Sequence, residues 1–343
     1  MRGTVAAGSP KAQLAWWLGR GNAWTGRSRP RHTRVRTAHS AREQRQNIAV
    51  EGACMPDITA DLVAELVARH VPALAGLPVT PVARQGWDNR TFRIQDTHCA
   101  RLPSADGYSA GVEKEDHVLP LLAPHLPVAI PEVVASVPPS SDFGRPWTVR
   151  RWLSGRTPDE CPDLDRTQFA HDLGVALRAL REAPTDGGPW AGRHTYFRGC
   201  HPSVYADEVQ RTLTRELPVD ATQCRDLWLN GLDSAWEGEP VWFHGDMAVG
   251  NVLVDRGRLS AVIDFGQCGV GDPACDLTIA WTYFRGTERQ VFAEAVNLDA
   301  DTWRRARAWA LWKSLIQLES PGDALHSIHN DALLEILADP VVR

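Results

Sequence analysis

Lysine is nearly absent: 34 of the 37 basic residues are arginine, and Lys11, Lys114 and Lys313 are the whole complement. A role that calls for an ammonium has three holders at most, and elsewhere a guanidinium must serve. Long apolar runs are also missing. The best stretch, near residues 308–318, is broken by Lys313, well short of the roughly 18 apolar residues a membrane-spanning helix needs. A soluble, cytoplasmic protein with no membrane partner is expected. The seven cysteines are odd in number and form neither a CxxC pair nor a zinc-like spacing, which predicts reduced thiols that pack. Internal repeats and heptads are lacking too.

Acid is scarce only at the start. Residues 1–54 hold 10 Lys+Arg against 2 Asp+Glu, while the rest hold 27 against 40, so the net charge of −5 averages a basic head and an acidic body. The head, rich in Arg, Ser, Gly and Ala, cannot bury enough surface to offset its ordering entropy. It is expected to be a disordered extension or a segment read from an upstream start, with a nucleic-acid or targeting tail as the third reading. Its apolar cluster, Leu14 with Trp16 to Leu18, is flanked wrongly for a secretory signal. No nucleic-acid partner is expected for the folded body, which is predicted to be a monomer or dimer.

The chain is long enough for two lobes: 343 residues, 43% hydrophobic and 23% charged. After Met55, Thr59 can cap a helix whose apolar stripe runs from Leu62 to Val71, with Pro72 as its stop. Short strand-like runs follow at 79–83, 91–94 and 98–102, then a helix over 112–123 and strands at 132–137 and 147–153. From Asp165 the pattern turns helical, at 169–180, 204–213, 221–236, 276–284, 302–318 and 332–337. A strand-like island at 240–271 interrupts it. These elements predict an α+β fold, a small antiparallel β-rich lobe followed by a larger, mostly helical one. The tryptophans between Trp303 and Trp312 are read as core packing.

The island carries the chemistry: His244-Gly245-Asp246, then Gly250-Asn251, then Asp264-Phe265-Gly266. Phosphoryl transfer from a nucleotide needs a carboxylate to orient and deprotonate the acceptor hydroxyl, and oxygen ligands to hold magnesium on the phosphates. In the kinase pattern His-x-Asp-x-x-x-x-Asn followed by Asp-Phe-Gly, the first Asp is the base, and the Asn and second Asp are metal ligands. Six prescribed residue types at fixed offsets recur by chance with odds on the order of 10⁻⁸ per position. Chance is not a serious rival.

With Phe243-His244-Gly245-Asp246, Ile263-Asp264-Phe265-Gly266 and Gly271-Asp272-Pro273 through Asp276-Leu277, the chain resembles the small-molecule kinases of the aminoglycoside phosphotransferase and choline kinase type. The resemblance spans about residues 79–318 and implies the two-lobed protein-kinase-like fold. It implies transfer of a phosphoryl group from ATP or GTP, with Mg²⁺, to a small-molecule hydroxyl. Asp246 is then the catalytic base and Asn251 and Asp264 the metal ligands, with His244 and Asp272 structural at the site. The turn 86–91 looks like the loop that covers the phosphates, placing Asn89 and Thr91 among the cofactor-binding residues. Where the family usually has a lysine, this chain has Arg101, with Glu115 as its helix partner. The lobes are expected at 55–150 and 157–343, joined by a hinge at 151–156. Residues 157–243 hold 15 acidic against 8 basic residues, which suits a cationic, aminoglycoside-like acceptor if those acids line a cleft. A sugar, amino alcohol or macrolide acceptor stays open, as do a non-catalytic pseudokinase and, against Gly245, a kinase of protein substrates.

Overall fold

Thr59 does cap the first helix, its Oγ1 accepting from the Leu62 amide at 3.2 Å. The structure, a computed structural model, describes residues 57–318 and 324–339; the expectations for residues 1–54 lie outside them. Helix α1 (Ala60–His70) buries Val63, Leu66 and Val67 and ends at Val71, where Pro72 opens a short 3₁₀ turn.

Strands β1 (Val79–Pro81), β2 (Asn89–Ile94), β3 (His98–Pro103), β4 (Val133–Val137) and β5 (Trp147–Arg151) form one antiparallel sheet in the order β1-β2-β3-β5-β4. Cross-strand partners share a face. Phe92, Ala100 and Val149 lie on one side and pack with α1 around Trp147. The opposite side carries Cys99 paired to Arg150, and Arg101 paired to Thr91 and Thr148. Helix α2 (Ser109–Leu122) meets this polar side through Glu115.

The second part is mostly helical: α3 (Arg166–Glu182), α4 (Ala206–Thr212), α5 (Ala221–Leu232), α6 (Ile279–Thr282), α7 (Gly286–Val296), α8 (Ala300–Gln317) and α9 (Ala324–Ala338). Close helix contacts rest on small residues. A Cβ on Gly174 of α3 would run into Phe292 and Ala295 of α7, and one on Gly231 of α5 into Ala308 of α8. Trp281, Trp309 and Trp312 are almost fully buried in this core. Into the helical part are set two small ladders, β6 (Val241–Phe243) with β9 (Gly269–Gly271), and β7 (Val252–Asp255) with β8 (Arg258–Val262).

Several elements depart from the pattern read in the sequence. The first strand stops at Pro81, which cannot donate to a ladder. β9 is Gly-Val-Gly, a composition that reads as a turn. Helix α7 was not read from the sequence: its start lacks a Ser, Thr, Asp or Asn cap, the Arg285 amide donating to the Glu288 carboxylate instead. The 276–284 helix begins as a 3₁₀ segment, Pro273–Thr278, and α9 is longer than 332–337. Among the described residues no helix is long and apolar enough to cross a membrane.

Candidate active site

The chain leaves β6 into His244-Gly245-Asp246, a turn clamped by one buried carboxylate. Asp276 accepts the His244 amide at 2.6 Å and the Gly245 amide at 2.7 Å. His244, itself fully buried, faces the Ile263 carbonyl with Nε2 at 2.9 Å. A carbonyl only accepts, so Nε2 carries the proton and Nδ1 is left to accept the Asp246 amide at 3.3 Å. His244 therefore ties the Asp246 loop to Ile263, between the end of β8 and Asp264. Gly245 sits at φ +85°, where an added Cβ would run into the Gln267 carbonyl. That excludes the arginine that protein kinases carry at this point. Asp272 lies one layer behind: it caps the 3₁₀ segment through the Ala274 amide at 3.0 Å and takes Arg305 Nε at 2.7 Å.

Asp246 keeps about a third of its side chain exposed, and its Oδ1 accepts from Lys313 Nζ, on α8, at 3.1 Å. Burial alone would raise this carboxyl, but Lys313 and then Arg198 hold it well below the usual carboxylate range. Asp246 is thus ionised across the physiological range and able to accept a proton from a hydroxyl. Asn251 donates Nδ2 to the Asp246 carbonyl at 2.8 Å, which directs its Oδ1 elsewhere. Asp264, 42% exposed at its side chain, sits at φ +66°, a left-handed conformation uncommon outside glycine. Such strain is retained where the surroundings hold it. Here a 3₁₀ turn, Phe265–Gln267, begins directly after it, and Phe265 packs edge-on to His244.

From the sheet, Arg101 gives Nη2 to Asp264 at 3.1 Å and approaches Glu115 Oε1 with Nη1 at 3.4 Å. Its buried Nε has no hydrogen-bond partner among the described residues. Glu115 is 1% exposed and also faces Arg150, whose Nη2 donates to Oε2 at 3.1 Å while Nη1 lies 3.1 Å from Oε1. Against the cost of burial, Arg101 and Arg150 bring the Glu115 carboxyl down to about 2. Lys114 turns away from this group, giving Nζ to the His194 carbonyl at 3.1 Å, and burial lowers its ammonium to about 8.

The expected phosphate-covering turn is corrected in its limits. Asn89 and Thr91 belong to β2, not to a loop, and the turn itself spans residues 82–88. Gln85 reaches across it, accepting the Thr91 amide at 2.8 Å and donating to the Thr91 carbonyl at 2.9 Å. Thr91 therefore has its backbone committed. Asn89 is buried with its Oδ1 unpartnered among the described residues. Three side chains at this site escaped the sequence pattern. Lys313, Arg150 and Arg198 stand outside every motif, and the rarity of lysine was the one signal that singled out Lys313.

A model described as the phosphotransferase enzyme family matches residues 79–309. No curated protein matches the sequence significantly. Among solved structures, the GDP complex of wild-type aminoglycoside 2'-phosphotransferase-IIIa is 18% identical, covers 82% of this chain and 99% of its own, and superposes with a TM-score of 0.62. Macrolide 2'-phosphotransferase MphH from Brachybacterium faecium is 23% identical over 82% of this chain and 99% of its own, with a TM-score of 0.53. The streptomycin–ATP ternary complex of APH(2'')-IIa is 17% identical over 80% and 95%, with a TM-score of 0.54. At these identities the likeness is one of fold.

Proposed function

The chain belongs to the phosphotransferase enzyme family, and we propose that it is a small-molecule kinase moving the γ-phosphoryl group of ATP or GTP to a hydroxyl of a small acceptor. One observation carries this reading: Arg101, from the sheet, donates to Asp264 at 3.1 Å, and the residue before it, Ile263, is bonded to Asn251 and His244 of the Asp246 loop at 2.9 Å each. A phosphate-binding cation, a metal-binding carboxylate and an ionised base thereby meet in one place. We place the nucleotide lobe at 55–150, the hinge at 151–156 and the catalytic lobe at 157–343. The backbone pairing of Arg156 with Val254, at 3.0 and 2.8 Å, supports the far limit of the hinge.

Asp246 orients the acceptor hydroxyl and takes its proton as the oxygen attacks phosphorus. Asn251 and Asp264 fit a magnesium: they would hold it through one amide oxygen and one carboxylate, the hard oxygen donors that ion takes. When bound, that ion would supply positive charge against the phosphates. Arg101 contributes a fork of donors to the phosphates, and Asn89, with its unpartnered Oδ1, lies at the β2 end of the covering turn. His244 and Asp276 keep the loop in register.

Several acids of residues 157–243 have partners within the fold, and others, among them Asp163, Asp186, Asp226, Asp233, Glu237 and Glu239, are exposed. Asp165 and Asp220 cap helices, Asp172 forks Arg258, and Glu208 accepts from Trp312 Nε1. The cations Lys313 and Arg198 act on Asp246 itself. The surplus therefore gives no ground for a cationic, aminoglycoside-like acceptor over a sugar, an amino alcohol or a macrolide. Nucleoside diphosphate release, measured with ATP and with GTP across those four classes, tests the reading. Stimulation by one class is expected. Nucleotide binding without turnover on any acceptor would support the pseudokinase instead.

A further inference from the structure

An arginine that must hold phosphate meets a difficulty beside Glu115. A carboxylate so deeply buried attracts its cation strongly, and a guanidinium committed to it is not free to turn toward a nucleotide. The sheet supplies a second cation for this charge. Arg150 hydrogen-bonds Glu115 Oε2 at 3.1 Å and brings its Nη1, which makes no hydrogen bond among the described residues, to 3.1 Å from Oε1, whereas Arg101 reaches only Oε1, at 3.4 Å. Strand register puts the two arginines on the same face, because Arg101 pairs with Thr148, two residues before Arg150. Thr148 Oγ1 accepts Arg150 Nε at 3.1 Å and sets the direction of the fork. Arg150 is 1% exposed and makes a longer second contact, 3.7 Å, to Asp116. Lys114, the other nearby cation, is engaged by His194.

We propose that Arg150 is a positioning residue that carries the charge of Glu115, leaving Arg101 for the phosphates. The proposal rests on the reading of Arg101 as the phosphate-binding cation. With Arg150 present, Arg101 can swing toward a nucleotide while Glu115 keeps a full counter-charge. Without it, Arg101 is the one cation among the described residues in direct contact with that carboxylate, and its departure would leave a buried charge with no contacting partner. Arg150 is thereby part of what allows arginine to stand where a lysine is usual.

Direct binding of fluorescent ADP and GDP analogues with Mg²⁺, with thermal unfolding recorded alongside, tests this on the full chain. Arg150→Met should weaken affinity by about tenfold or more, the size of one lost charge-assisted contact. Adding Glu115→Gln should return it to within a few-fold of the unaltered protein, because the neutral amide no longer holds Arg101. A merely structural role lowers thermal stability without this rescue. If Arg150→Met fails to fold, Arg150→Lys takes its place: one ammonium covers one oxygen, so affinity falls part-way and Glu115→Gln again restores it. Unchanged affinity in the single variants, or a double variant no better than the single, overturns the proposal while leaving the kinase reading intact. Absence of nucleotide binding by the unaltered protein overturns both.

Discussion

The two halves of the site are built in opposite ways. On the helical side, His244, Asp246, Asn251, Asp264 and Asp276 come from 33 consecutive residues and position one another through short-range bonds. On the sheet side, Arg101, Glu115 and Arg150 come from β3, α2 and β5 and meet only because the strands pair in one register. A contiguous half tolerates little change at any one position. A dispersed half shares its charge among several groups, so single losses are softened.

That contrast can be broken at defined points. Asp246→Asn should cut turnover by about 10²–10⁴ with folding intact, the usual weight of a positioned base; nucleotide turnover at the wild-type rate would remove Asp246 from the mechanism. Arg101→Ala should weaken nucleotide binding by about tenfold to a hundredfold, and an unchanged affinity would take Arg101 out of the phosphate site. Lys313→Met sits where the halves differ least, a distant residue acting on the contiguous loop. It should lower kcat by about tenfold and leave nucleotide affinity within about twofold, since its partner is Asp246 and not the sheet. The smallest effect is on acid stability. Glu115 has a folded-state value near 2 against an ordinary 4.5, so its contribution is full above 4.5 and drains away as pH falls toward 2. Denaturation midpoints of Glu115→Gln through that window should fall less steeply than those of the unaltered protein.

The same contrast explains what could be read from the sequence. Asp246, Asn251 and Asp264 are fixed by spacing along the chain, so their grouping is visible as text. Arg101 and Glu115 were reached through resemblance, not pattern. Arg150 is one arginine among many, and only the pairing of Cys99 with Arg150 brings it to Glu115. Lys313 lies 67 residues beyond Asp246, on a helix read as core, and nothing local marks its neighbour. The turn expected at 86–91 ends earlier because Asn89 and Arg90 pair with Pro103 and Leu102 and open β2 two residues before the strand read at 91–94. Glycine-rich β9 and unconventionally capped α7 escaped for the reason that packing, not propensity, stabilises them.

Gly155 gives the molecule a mechanical property. Its φ of +145° is open to glycine alone, and a side chain there would crowd Leu253 and the Val254 carbonyl. The next residue, Arg156, is laced to Val254 in both directions, while Trp152 is tied to Thr97, in the turn between β2 and β3, at 2.9 Å. The segment is therefore tied at both ends, with three residues between the ties. A bulkier residue at 155 would have to push β7 away from Arg156 before it touched any group proposed to handle phosphate.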